Sequence, residues 1–227
     1  MKHSSGFTLP LLFDRKSSSF CTVNRNSPNL DFFTKGNPSP QNMNMDLLFI
    51  GGRTFSEYTP GEKALAIMKK RDTEEYQLFT MNGIPADVSK GPIEKSESLE
   101  NTLQVLHADF RTLNQNNNII YFAKNNELFT CNLDSKSEQK QNIKIPAGET
   151  ITYMEFLKYS AYDDKETKFD YLVIATASGD NYRLYLHPVE ANSILPAIEI
   201  YTGLGRVKRV CFMKQSSKGV INRTTLF

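Results

Sequence analysis

The chain has 227 residues, of which 39% are hydrophobic and 23% charged, with a formal net charge of +2. A chain of that length buries roughly 70–75% of its unfolded surface, so it can form a core without staples, and so small a charge argues against nucleic acid or an anionic membrane as partner. Three cysteines and three histidines supply neither a disulfide framework nor a zinc pattern, and no metal or cofactor is expected.

The first apolar run, "FTLPLLF" at 7–13, is short, is interrupted by Pro10 and runs into Asp14-Arg15-Lys16. It fits neither an export-signal core nor a membrane span. It reads instead as the first half of a hairpin, "PLLFDRKSSSFCTVN", followed by a strand "LDFFTKG". Next comes "DLLFIGG", a strand ending in the loop "GGRTFSEYTPGE" (51–62), and then the hairpin "ALAIMKK…YQLFTMN". "DVSKGPI" is the weakest strand reading. "PIEKSESLENTLQVL" (92–106) is the only helix-like stretch. The order then repeats: "HADFRTL", the hairpin "IIYFAKNNELFTCN" and the strand "QNIKIP". It repeats again as "YMEFLKY", the loop "KYSAYDDKE" (158–166), the hairpin "DYLVIATASGDNYRLYLH" and the strand "AIEIYTG". A last copy of the Phe-containing strand, "RVCFMKQ", stands near the C-terminus. Cys21, Cys131 and Cys211 all lie inside these apolar runs and read as buried free thiols.

Each hairpin is two β-prone runs around a break of Asn, Gly, Asp or Ser. The hairpins start near Leu11, Leu65, Ile119 and Tyr171, at spacings of 54, 54 and 52 residues. "LFTMN" (78–82) and "LFTCN" (128–132) fall on the same strand of consecutive repeats. Four strands in about 50 residues is the size of a β-propeller blade. "IIYFA" and "YLVIATA" are apolar on both faces, as strands covered on both sides require. The expected fold is therefore all-β and β-propeller-like, with four repeats of about four antiparallel strands. It forms either a four-bladed ring or an arc of a larger propeller, as a single domain over 1–227. The repeats cover about 46–100, 105–148 and 151–203. A split blade joins 206–214 to 7–36 and closes the ring. Phe49, Phe110, Phe156 and Phe212 are expected at equivalent buried positions.

"PLLFDRKSSSF", "ALAIMKK…YQLFTMN", "HADFRTLNQNNNIIYFAKNNELFTCNL", "PAGETITYMEF" and "DYLVIATASGDNYRLYLHPV" together resemble the C-terminal half of PKD-like surface lipoproteins of glycan-foraging gut bacteria. The resemblance runs over about residues 8–213 and rests on strand and hairpin patterns. It implies an export signal, a lipid-anchoring cysteine and PKD-type modules upstream, and genes beside starch-utilisation-type outer-membrane uptake systems. The chain departs from that pattern by lacking the signal and the PKD modules, and looks like a C-terminal fragment or a truncated relative. Its expected place is the cell surface or periplasm if it belongs to a longer lipoprotein; no signal is read in the chain, so as written its expected place is cytoplasmic or unknown.

Enzyme motifs are missing: no G-x-S-x-G, no H-E-x-x-H and no phosphate-cradling glycine loop. "DDKE" (163–166) lacks the ordered ligands of a calcium loop. Asp109 and Glu155 each precede a repeated Phe and offer an acid/base pair, but Leu48 and Cys211 stand there in the other copies. Aromatic residues in the loops after two inner strands are the better lead. Arg53, Phe55, Tyr58, Tyr159 and Tyr162 are candidate ligand-binding residues that stack on a sugar or anchor a protein interface. The sequence reads as a non-catalytic, non-enzyme surface binding or accessory module of a bacterial glycan-uptake system. It would bind glycan or outer-membrane uptake proteins through rim loops, with no nucleic acid partner and no membrane insertion. A glycan-active propeller enzyme and a structural spacer are the alternatives.

Overall fold

The computed structural model describes residues 8–14, 19–24, 29–34, 37–42, 45–51, 63–82, 93–114, 118–157, 170–190, 193–208, 210, 212–215 and 223–226, the strands nearest the two termini by their backbone alone. The described structure is all-β. It holds five antiparallel sheets and one short 3₁₀ turn at Gln104–His107, with no α-helix among the described residues. The chain divides into two compact units, 1–106 and 107–227.

The first unit holds two four-stranded meanders. One is β1 (Thr8–Asp14), β2 (Ser19–Asn24), β3 (Asn29–Thr34) and β4 (Asn37–Asn42). The other is β5 (Met45–Gly51), β6 (Lys63–Lys70), β7 (Tyr76–Asn82) and β8 (Ile93–Leu99). Leu65, Ala66, Ile67 and Met68 of β6 are consecutive and all buried, so β6 is covered on both faces. β4 reads "NPSPQN" and contains Pro38 and Pro40. A proline cannot donate to a ladder, but β4 has only one neighbour, and both prolines fall on alternate positions opposite Phe33 and Asp31. Prolines are accepted on such an edge strand. The 92–106 stretch is not a helix: its first part is β8, extended against β7.

The second unit holds β9 (Phe110–Asn114), β10 (Ile119–Lys124), β11 (Glu127–Asn132) and β12 (Ser137–Lys140) in one meander. A five-stranded sheet follows: β13 (Thr150–Leu157), β14 (Asp170–Ser178), β15 (Asn181–Glu190), β16 (Ser193–Ile194) and β17 (Ile198–Gly203), the last two both pairing with β15. Local turn chemistry sets these hairpins. Asn125 and Asn126 both have positive φ between paired Lys124 and Glu127, the two-residue type I′ turn that favours Asn. Gly179 takes φ +58° at the first position of the β14–β15 turn. Pro146-Ala147-Gly148-Glu149 closes with Glu149 N–H on the Pro146 carbonyl, Gly148 at φ +81°. A type II turn needs that φ at its third residue, where glycine has no Cβ to clash.

The two sheets stack face to face. Ile119, Tyr121, Ala123 and Leu128 pack against Ile151, Met154, Leu172, Ile174 and Val189. The Tyr121 and Phe156 rings lie parallel with centroids 5.5 Å apart, an arrangement that adds about 0.5–1.5 kcal/mol beyond area burial. The other face of β13–β15 holds Val173, Ala175 and Leu184 against Val210, with Val207 beside it. "LFTCN" alternates across its sheet: Leu128 joins the inter-sheet core, while Phe129 points the other way and stacks on Phe122.

The last Phe strand, β18 (Phe212–Gln215), pairs with β19 (Arg223–Leu226), and β1 pairs with β2. Two expectations are corrected. The segment read as an outer strand, "LDFFTKG", is instead the third strand of its own sheet, because the proline-rich β4 follows it. The Phe positions are equivalent only in part. Phe49 lies opposite Ile67, which faces Leu78, and Phe110 lies opposite Ala123, which faces Leu128, so these two share a register. Phe156 lies opposite Leu172, at the far end of its hairpin from the turn. All three are half-buried, and the Phe212 side chain lies outside the described residues.

Candidate functional site

The second unit has two chemically different ends. The β10–β11 and β14–β15 turns, 125–126 and 179–180, stand at one end, and polar contacts tie that end together. The Asn126 side chain spans two backbone groups of the next sheet: it donates to the Glu149 carbonyl at 2.7 Å and accepts from Ile151 N–H at 2.8 Å. Glu149 is 6% exposed. Its carboxylate accepts from Thr176 Oγ1 at 2.5 Å, Arg183 Nη1 at 2.8 Å and Tyr185 Oη at 3.3 Å. A buried carboxylate is tolerated when each oxygen has donors. The PAGE turn therefore delivers a charged pin into the β14–β15 hairpin.

β9 and β13 both end at the opposite side, where residues 115–117 and 158–169 leave the sheets. Tyr121 is fully buried there, with the Asn114 side chain and Asp170 in its surroundings. Burial, more than the nearby Asp170 charge, pushes the Tyr121 hydroxyl above its ordinary pKa, and the hydroxyl makes no hydrogen bond of good geometry. Thr112 Oγ1 accepts from Phe156 N–H at 2.7 Å and links the two sheets.

A cavity of about 420 Å³ opens along the outer edge of the same inter-sheet space. Ile119 forms its apolar side. Thr130 and Asn132 of β11, Ser137 and Gln139 of β12, Gln141 just beyond, and Ser193 of β16 supply the rest. None of the lining side chains is charged. Within it, Asn132 Oδ1 accepts from Asp134 and Ser135 N–H at 2.9 and 3.1 Å, and Gln141 Nε2 donates to Thr130 Oγ1 at 2.9 Å. The sequence reading missed this cleft because its residues come from four strands and one connection, each unremarkable alone.

Arg53, Phe55, Tyr58, Tyr159 and Tyr162 all lie outside the described residues, as does "DDKE". The Asp109–Glu155 pair does not form a site. Asp109 Oδ2 accepts Asn125 N–H at 3.0 Å and caps the hairpin turn, whereas Glu155 takes the Tyr153 hydroxyl on the sheet face against Val210. Among the described residues no group of three or more His, Cys, Asp or Glu could hold a metal ion. Cys131 is buried and free, and burial pushes its thiol up to about 12. His187 is buried, its Nδ1 3.2 Å from the Leu195 carbonyl, and burial holds its pKa below the ordinary value. Among the described residues no helix is long and apolar enough to cross a membrane.

No protein-family model and no curated protein matches the sequence. The fold is similar to that of a post-proline cleaving enzyme from Rickettsia typhi, with a TM-score of 0.52 and 9% identity over 92% of this chain and 32% of that one. The chain thus spans about a third of that enzyme's length. An uncharacterised protein of Listeria monocytogenes EGD-e matches 87% of this chain and 67% of its own at TM-score 0.40 and 8% identity, a likeness too weak to carry an argument. The first likeness corrects the expectation that the chain is no enzyme, because the protein it resembles in fold is one. At 9% identity the likeness shows fold alone, and no residue role passes across.

Proposed function

We propose that the chain is a β-propeller-like binding module carried within a larger protein. Its four meanders β1–β4, β5–β8, β9–β12 and β13–β17 act as blades. It takes its ligand at the end of the stacked sheets from which residues 115–117 and 158–169 leave. The ligand is a glycan or a partner protein of a surface glycan-uptake system, the setting suggested by the sequence resemblance. One observation carries this reading: the two ends of the second unit differ in chemistry. The turn end uses its polar groups on itself, through Asn126 and Glu149. The other end opens a neutral polar cleft beside the departing segments. Rigid blades with variable end loops are a common way to place binding groups. The match to only a third of a longer protein agrees with a module rather than a whole machine.

A second reading is favoured by the fold likeness itself: the larger protein is a peptide-cleaving enzyme, and the module handles its peptides. Affinity electrophoresis against neutral polysaccharides, run beside a cleavage assay on proline-containing peptides, separates the two. The first reading predicts retardation by at least one polysaccharide, at an affinity of about millimolar to micromolar, weakened by Tyr162→Ala. Cleavage after proline without retardation would replace it with the second.

A further inference from the structure

We infer that the cleft between β11–β12 and β16 is a subsite for one or two rings of a neutral carbohydrate, an assignment that rests on the binding-module reading above. Its volume of about 420 Å³ falls in the range of ligand sites, roughly 300–1,000 Å³. Its lining is chemically specific. Every polar side chain in it is a hydroxyl or a primary amide. Such groups donate and accept at once, and a sugar hydroxyl does the same. A carboxylate or phosphate ligand would call for a cation, and an ammonium ligand for an anion; the lining has neither.

The internal hydrogen bonds orient the lining without consuming it. Asn132 spends Oδ1 on the Asp134 and Ser135 amides, which fixes the plane of its amide and leaves Nδ2 as a held donor. Gln141 spends Nε2 on Thr130 Oγ1, which leaves Oε1 as a held acceptor. A fixed donor and a fixed acceptor in one cleft suit adjacent ring hydroxyls, and fixing them beforehand reduces the ordering cost of binding. The buried Ile119 gives the apolar side against which a ring's C–H face can rest. Gln139 and Ser193, both exposed, stand on the two sheets, so a ring seated between them touches both.

Titration calorimetry with maltose, cellobiose, lactose and mannobiose tests this, with digalacturonate and an Ala-Pro dipeptide as the charged and peptidic comparisons. The full chain is used, together with Gln139→Ala, Ser193→Ala and Asn132→Asp, each checked by far-UV circular dichroism. The expected result is binding of at least one neutral disaccharide, weakened tenfold or more by Gln139→Ala, with digalacturonate and the dipeptide weaker. Asn132→Asp replaces the held Nδ2 donor with an acceptor, and its binding should fall by at least as much. Disaccharide binding that all three variants leave unchanged overturns the cleft assignment while the binding-module reading stands. Preference for the dipeptide or for digalacturonate overturns the neutral-carbohydrate assignment. Failure of the disaccharides here and of every polysaccharide by electrophoresis overturns both.

Discussion

Removing the Glu149 side chain should destabilise the second unit by about 3 kcal/mol. The figure is built from its partners. Thr176 is fully buried, so in Glu149→Ala its hydroxyl loses the carboxylate it donates to at 2.5 Å. An orphaned buried donor costs roughly 1–3 kcal/mol. Arg183 is 45% exposed, so its guanidinium returns to water and the lost ion pair adds little. The Asn126 bridge is retained, because it uses the Glu149 carbonyl and the Ile151 N–H rather than the side chain. The variant therefore isolates the carboxylate. The chain has no tryptophan, so urea unfolding is followed by circular dichroism. Thr176→Val completes a cycle. In its background Glu149→Ala should cost at least about 1 kcal/mol less, since no hydroxyl is then stranded. A single-variant loss under about 1 kcal/mol, or a cycle with no coupling, would refute the view that this buried carboxylate pins the turn end.

Phe156→Ala should cost about 2 kcal/mol in the same assay, below the 3–5 kcal/mol of a fully buried Phe, because the ring is half-buried against Tyr121. A loss of 4 kcal/mol or more would mean that the ring is more deeply enclosed. His187 has its folded pKa depressed below 6.5 by burial, so the unfolded chain binds its proton first as pH falls. Its stabilising contribution is full above about pH 6.5 and is lost as pH drops below that value. Melting temperatures of His187→Gln should therefore fall less than those of the natural sequence between pH 7.5 and 5; parallel curves would contradict this. Cys131, with its thiol pushed up to about 12, should resist iodoacetamide at pH 8 in the folded protein and react in urea. Peptide mapping showing fast native labelling would place it at the surface.

The hairpins were legible in the sequence because their signals are local. Asn125-Asn126 and Gly179 mark hairpin turns by backbone chemistry alone, and runs such as "IIYFA" declare burial on both faces. Outer strands were harder to read. β12 is "SEQK", a polar edge with little to bury, while the expected "QNIKIP" sends Ile143 and Ile145 into the core as irregular chain. β4, with two prolines, carries no strand signal in the sequence, though an edge strand accepts them. The Phe pattern identified the β18 sequence but carried no information on which neighbour its backbone would bond. Glu149 sits in the quoted "PAGETITYMEF" without any sign that it is buried, since its donors come from strands 27–36 residues onward. The cleft has the same character. Gln139, Gln141 and Ser193 become a site only when two sheets stack.

The proposed binding module takes its ligand at the end opposite the 125–126 and 179–180 turns. Amide chemical-shift mapping of the labelled chain, during titration with a neutral polysaccharide that retards it on electrophoresis, tests this most directly. The expected shifts concentrate at Ile119, Asn132, Gln139, Gln141 and Ser193 and in residues 158–169, with the 125–126 and 179–180 turns unmoved. Shifts centred on those turns, or on the β17 edge, would contradict it.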